Sequence, residues 1–202
     1  SHSDAQLEVI NPANGELYAS VPSADVQDVD SAIRAASRAF SSWSEQPADF
    51  RAAIINEIAD GMQARIDELT EVIVASMGCP LSLASEIQVQ GSIDAFRSFA
   101  PLASEMDKQQ VHANHIVVTE AVGVCVLINP WNYPLSQLVG KLGPALAAGC
   151  TVVVKPAEQT PLQDLILAEI IHQSSLPHGV FNLLTGVGSQ IGEALCSHAL
   201  VD

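Results

Sequence analysis

The apolar positions of this chain change period about half-way along its length. In the first half, half-apolar runs at 7–11 and 17–21 flank Pro12-Ala13-Asn14-Gly15, and alternation on either side of a turn cluster predicts a pair of strands. Val26, Val29, Ile33, Ala36, Phe40 and Trp43 then recur every three or four residues, the spacing of one helix face, with Ser23 placed to cap the start. Pro47 opens a second helix whose stripe is Ile54, Ile58, Met62, Ile66, Leu69 and Ile73, and Gly78-Cys79-Pro80 ends it. A third helix is predicted over 82–104.

Beyond about residue 110 the rhythm becomes strand, turn, helix. A short strand is predicted at 117–119. The uninterrupted apolar run 123–128 has the composition of a strand covered on both faces. A helix at 135–148 closes on Gly149, a second buried strand follows at 151–155, and a second helix at 162–174. A third strand at 180–184 leads to a third helix at 190–197. Three successive βα units with short connections predict a parallel, doubly wound sheet. The expected fold class is therefore α/β. An amino-terminal strand pair and helices occupy 1–110, and the first βα units of a Rossmann-like dinucleotide-binding sheet occupy 111–202. Three units make half of such a sheet, so the chain reads as a fragment whose sheet is truncated.

Composition narrows the function. With 202 residues, 48% of them hydrophobic, and a mean hydropathy of +0.26, the chain can build a core and is not disordered as a whole. Eight Lys and Arg against 23 Asp and Glu leave a net charge of −15, which repels phosphate backbones and anionic lipid, so no nucleic acid and no membrane partner is expected. A phosphate bound here must be held by backbone N–H groups and one or two placed cations. No apolar run approaches the roughly 20 residues of a membrane span, and Ser1-His2-Ser3-Asp4 lacks the basic and apolar segments of a signal peptide. Cys79, Cys125, Cys150 and Cys196 form no C-x-x-C pair. They are expected to be reduced and structural, in a cytoplasmic protein. His112 and His115 form an H-x-x-H without further ligands at convincing spacing, so no metal site is expected.

In an open α/β sheet, ligands bind at the carboxyl ends of the strands. Three segments hold that position: Asn129-Pro130-Trp131-Asn132-Tyr133-Pro134, Lys155-Pro156-Ala157-Glu158, and Thr185 through Gly192, which carries G-x-G-x-x-x-G. The glycines fit a tight βα turn as readily as a backbone that approaches a nucleotide. Lys155 and Glu158 read either as a solvated loop pair or as two groups gripping ribose hydroxyls, and a carboxylate there would repel a 2′-phosphate. Trp131 alone is more often packing than binding. Asn132 either braces the turn or turns its amide toward an oxygen that gains negative charge.

Together these segments resemble the aldehyde dehydrogenase superfamily. The resemblance runs through PWNYPL (130–135), KLGPALAAG (141–149), KPAEQTP (155–161), LPHGVFNLLTG (176–186) and GVGSQIGEAL (186–195), with NPANGE (11–16) near the start. It implies an oxidoreductase that uses NAD to oxidise an aldehyde to a carboxylic acid. By the same resemblance Asn132 supplies the side-chain half of the oxyanion hole. Pro130, Trp131, Lys155, Ala157 and Glu158 line the adenosine–ribose side of the cofactor with Asn132 beside them, and Gly188 and Gly192 lie near the nucleotide. Lys141 matches a position assigned in some members to a charge or proton relay. The family's reaction passes through a cysteine thiohemiacetal. Its nucleophilic cysteine and its water-activating glutamate are both expected beyond residue 202, so the fragment alone is expected to be inactive. The implied partners are the aldehyde substrate and further copies of the full-length chain, as a dimer or tetramer. The alternative is a non-catalytic nucleotide-binding module or pseudoenzyme.

Overall fold

The structure is a computed structural model that describes residues 4–107 and 109–202; Ser1–Ser3 of the opening segment lie outside them. The predicted strand pair forms as β1 (Gln6–Ile10) antiparallel to β2 (Leu17–Pro22). Helix α1 (Val26–Ser44) follows, but Ser23 does not cap it. Asp25 does: its carboxylate accepts from Gln27 N and Asp28 N at 2.8 and 3.0 Å, while Asp28 returns an oxygen to Asp25 N. Ser23 instead donates its backbone N–H to Ala5, extending the pairing of β1 and β2.

The stripe read as one second helix is two, α2 (Ala48–Ala64) and α3 (Ile66–Met77). The break falls at Arg65, whose guanidinium pairs with Glu68 at 2.6 Å and with Glu169, far along the chain, at 2.9 Å. The predicted third helix is likewise interrupted. It comprises α4 (Leu81–Leu83), a π-helical turn at Ala84–Gln90, α5 (Gly91–Ser98) and α6 (Leu102–Met106), with Pro101 separating the last two. The short strand shifts to Ile116–Val117 (β4) and pairs with Gln110–Val111 (β3), a partner the pattern did not reveal.

The βα rhythm holds. β5 (Val124–Ile128), β6 (Thr151–Lys155) and β7 (Phe181–Leu183) lie parallel in that order. They alternate with α7 (Pro134–Ala147), α8 (Leu162–Gln173) and α9 (Gly188–Cys196). Gly149, in the left-handed region at φ +86°, turns the chain from α7 into β6. The central strand β6 is buried throughout, and its alternation shows how both faces are covered. Val152 and Val154 pack with Leu135, Leu138 and Leu167 of α7 and α8, whereas Val153 packs with Val29 and Ile33 of α1 and Ile191 and Leu195 of α9. β5, expected to be buried on both faces, has only Val124 and Leu127 buried, because it forms one edge of the three-stranded sheet. No helix among the described residues is long and apolar enough to cross a membrane.

Candidate active site

The three segments singled out in the sequence converge at one rim. Asn129 N donates to Lys155 O at 3.0 Å and Leu184 N to Val154 O at 2.9 Å, which extends the ladder past the strand ends. Thr160 Oγ1 donates to Trp131 O at 3.1 Å, tying the loop after β6 to the loop after β5. Thr185 is strapped to the β2–α1 link, since Ala24 N donates to its carbonyl at 2.7 Å.

Lys155 is not a free cation at this rim. Its side chain is 3% exposed, and its ammonium donates to Pro156 O (2.7 Å), Glu158 Oε2 (3.1 Å) and Gly186 O (3.2 Å). Those three bonds use all three of its protons. Lys155 therefore staples the β6 loop to the glycine turn after β7. Glu158, 34% exposed, is the member that faces outward, and its Oε1 accepts from Gly188 N at 3.4 Å. Burial pushes the Glu158 carboxyl up, but its own backbone N–H, Lys155 and the Gly188 N–H outweigh that and hold it below the usual carboxylate range. The amino-terminal end of α9 thus already faces a negative group. That arrangement suits neutral ribose hydroxyls and opposes a further phosphate on them.

The glycines of the third segment separate into two kinds. A Cβ on Gly186 would lie 2.6 Å from Ile191 Cδ1, so a larger residue there must displace the tip of the Ile191 side chain. A Cβ on Gly188 would meet only ordinary contacts at 3.8 and 3.9 Å, and one on Gly192 would meet nothing within 4 Å. Nothing among the described residues fills the space beside Gly192. The open backbone, the outward Glu158 carboxylate and the helix start are the features a ribose–pyrophosphate group fits. Ala157 is buried beneath the rim, Trp131 is 56% exposed, and Pro130 is exposed beside it.

Asn132 precedes Tyr133, which sits in the left-handed region at φ +51°, where among the described residues every other occupant is glycine. That conformation costs a tyrosine roughly 1–3 kcal/mol. It turns the chain abruptly into α7, with Pro134 at the first helical position. The Asn132 side chain is half-buried and, among the described residues, its amide makes no hydrogen bond. Thr160 and Asn129 hold this turn, and the Asn132 amide is left for something else.

Lys141 lies under that turn. Its ammonium donates to Ile128 O at 2.9 Å and Asn129 Oδ1 at 2.8 Å. Burial pulls its pKa down, partly offset by the Asp164 carboxylate. Asn129 and Thr160 lie in segments marked in the sequence, but no role was assigned there to them, to Gln163 or to Asp164. Two polar residues in the first turn of α8 carry no signal that separates them from ordinary helix-start residues.

Cys125, Cys150 and Cys196 stand apart from the rim. Cys125 and Cys150 lie toward the amino-terminal edge of the sheet, and Cys196 ends α9. Burial pushes the Cys79 thiol up. The His112 and His115 rings stack at 4.5 Å in the β3–β4 hairpin, and no group of three or more His, Cys, Asp or Glu side chains that could hold a metal occurs among the described residues.

The model of the aldehyde dehydrogenase family matches residues 1–202. The chain belongs to the aldehyde dehydrogenase family. It is 38% identical over 198 residues to 3-succinoylsemialdehyde-pyridine dehydrogenase of a Pseudomonas species, covering 98% of this chain and 42% of that protein. Aldehyde dehydrogenase C of Pseudomonas syringae, solved as a cysteine-to-alanine variant with NAD+ and octanal, superposes with a TM-score of 0.96 at 40% identity, over 99% of this chain and 41% of that one. An Escherichia coli NADP-dependent enzyme superposes with a TM-score of 0.92 at 35% identity, over 98% and 42%. The chain thus spans about 42% of the length of the relatives it matches, and the rim lies within the shared part.

Proposed function

We propose that this chain supplies the cofactor-binding and oxyanion-stabilising part of an NAD-dependent oxidation of an aldehyde to a carboxylic acid. The observation that carries the proposal is the half-buried Asn132 amide, presented without a partner by a strained turn at the same end of the sheet as the open glycine backbone. NAD, when bound, accepts the hydride. Glu158 takes the adenosine ribose hydroxyls. Gly188 and Gly192 let the backbone approach the nucleotide, and Pro130, Trp131 and Ala157 shape the adenosine side. Asn132 donates to the oxygen that becomes negative as the carbonyl is attacked, and Lys141 sits beneath it at the end of β5. The attacking cysteine thiolate and the water-activating glutamate are proposed to lie outside residues 1–202, consistent with the placement of Cys125, Cys150 and Cys196 away from the rim and the burial of Cys79. The P. syringae structure with NAD+ and octanal supports this reading of cofactor and substrate class.

The full-length protein is proposed to form a homo-oligomer. The β3–β4 hairpin exposes Val111 (74%), Ile116 (57%) and Val118 (53%), an apolar edge that a second copy would cover.

The test follows NADH absorbance when full-length protein meets a panel of aliphatic and aromatic aldehydes with NAD. Oxidation by the full-length protein and none by the 202-residue chain is the expected result. NAD binding without oxidation by the full-length protein would favour a non-catalytic nucleotide-binding module. Turnover by the 202-residue chain would overturn the placement of the nucleophile and the water-activating carboxylate outside it.

A further inference from the structure

Beneath the Asn132 turn lies a buried polar network that the proposed reaction does not use. Asp164 is fully buried in the first turn of α8. Its Oδ1 accepts from Gln163 Nε2 at 3.0 Å, and Gln163 Nε2 also donates to Thr160 O at 2.6 Å. Thr160 in turn holds the Trp131 carbonyl, one residue from Asn132. On the other side stands Asn129, 5% exposed, at the start of the same turn. Lys141 can only donate, so the oxygen of the Asn129 amide must face it. The amide nitrogen is then left toward Asp164, whose charged form Asn129 favours. Asn129 Nδ2 and Asp164 Oδ2 are both buried and neither has a hydrogen-bond partner; one is a donor and the other an acceptor. An amide with a cation at its oxygen and a carboxylate at its nitrogen has one stable orientation.

This arrangement is expensive for the fold. Burial raises the Asp164 pKa to about 7 against the pull of Gln163, Asn129 and Lys141. An apolar residue at that position would avoid the desolvation penalty. α8 packs against α2, α3, α7 and β7, and the charged group from these elements that acts on Asp164 is Lys141 of α7. Glu169, further along α8, is engaged at the surface by Arg65. A destabilising buried carboxylate linked at two points to a turn that carries a free amide is a positioning device.

We propose that Asp164, as a carboxylate, is a positioning residue for the Asn132 turn, acting through Asn129 and Lys141 on one side and through Gln163 and Thr160 on the other. The inference rests on the oxyanion-donor role proposed for Asn132. Asp164 touches neither substrate nor cofactor; it keeps the turn from rotating the Asn132 amide away from the oxygen it serves. Misplacement by a fraction of an ångström is sufficient to slow chemistry while leaving cofactor affinity intact.

The experiment is a double-mutant cycle in the full-length enzyme, reading kcat, KM for NAD and their pH dependence for Asp164→Asn, Asn132→Ala and the double variant. Asp164→Asn is expected to lower kcat about tenfold above about pH 8 with the KM for NAD within about twofold. The parent-to-variant ratio should fall toward one near about pH 6, where Asp164 of the parent is protonated. Added to Asn132→Ala, Asp164→Asn should cost nothing further, because both act through one amide. If Asp164→Asn does not fold, Asn129→Ser cuts the same link and should give the same loss and the same non-additivity. An additive double variant, or a pH-independent ratio, overturns the positioning role and leaves Asn132 as oxyanion donor. Near-normal kcat for Asn132→Ala overturns both.

Discussion

Lys155 Nζ lies 3.1 Å from Glu158 Oε2, and the same ammonium reaches Gly186 O at 3.2 Å. One buried cation therefore orients the outward carboxylate and pins the glycine turn against it. On the proposed reading, cofactor selectivity depends on Glu158, with Lys155 holding it in place. In the full-length enzyme, Glu158→Gln is expected to narrow or reverse a preference for NAD over NADP, because the negative charge that meets a 2′-phosphate is gone. The ratio of kcat/KM for the two cofactors is the measurement. A parent that uses NADP better than NAD would remove Glu158 from this role.

Lys155→Met is a harsher change. It leaves Glu158 without its cation and the Gly186 carbonyl without a donor inside a buried region. A loss of about 3–5 kcal/mol is typical when one partner of a buried pair is removed, discounted in this pair because Glu158 is partly exposed. Denaturant unfolding of the full-length protein reads it. A variant as stable as the parent would show that the staple is dispensable.

Gly192 offers a test in which stability and binding move in opposite directions. It lies within α9 and a Cβ there meets nothing within 4 Å among the described residues. Gly192→Ala should stabilise the helix by about 0.5–1 kcal/mol. It should also weaken NAD binding if the nucleotide occupies the open space. Titration calorimetry and thermal melting on one preparation settle the sign of each. Unchanged NAD affinity would place the nucleotide elsewhere.

Asp164 makes stability fall with rising pH. Its native pKa is raised to about 7 by burial, so between about pH 4 and about pH 7 the native state retains a proton that the unfolded chain has released. That favourable contribution is complete at low pH and is lost as pH climbs through about 7. Asp164→Asn removes the titration. The melting temperature of the variant minus that of the parent should therefore grow between about pH 5 and about pH 8. A constant difference would show that Asp164 does not titrate in this window.

Much of this architecture was legible in the residues. The apolar runs at 123–128 and 151–155 and the glycine closing α7 revealed the βα rhythm; β6 has no polar alternation because helices cover both its faces, whereas β5 is just as apolar although it lies at the sheet edge with only Val124 and Leu127 buried. PWNYPL and KPAEQTP identified the rim. What the pattern concealed depends on contacts between distant residues. The break at Arg65 has no local helix breaker; its guanidinium reaches Glu68 within α3 and Glu169 on α8. The hydrogen bond from Lys155 to a carbonyl 31 positions away was invisible in the sequence, where only its charge and its place at a strand end could be read. Asn129 and Asp164 each resemble ordinary turn or helix-start residues, and folding α7 and α8 onto the same face of the sheet brings them together.

The Asn132 amide, on this account, serves the transition state. Asn132→Ala in the full-length enzyme, with kcat, NAD affinity and melting temperature read on the same preparation, tests that role most directly. An interaction stronger with the developing oxyanion than with the ground-state carbonyl predicts a kcat lower by ~10²–10³, with NAD affinity and melting temperature close to those of the parent. Near-normal kcat with a large fall in melting temperature would contradict the role and make Asn132 a brace for the Pro130–Pro134 turn.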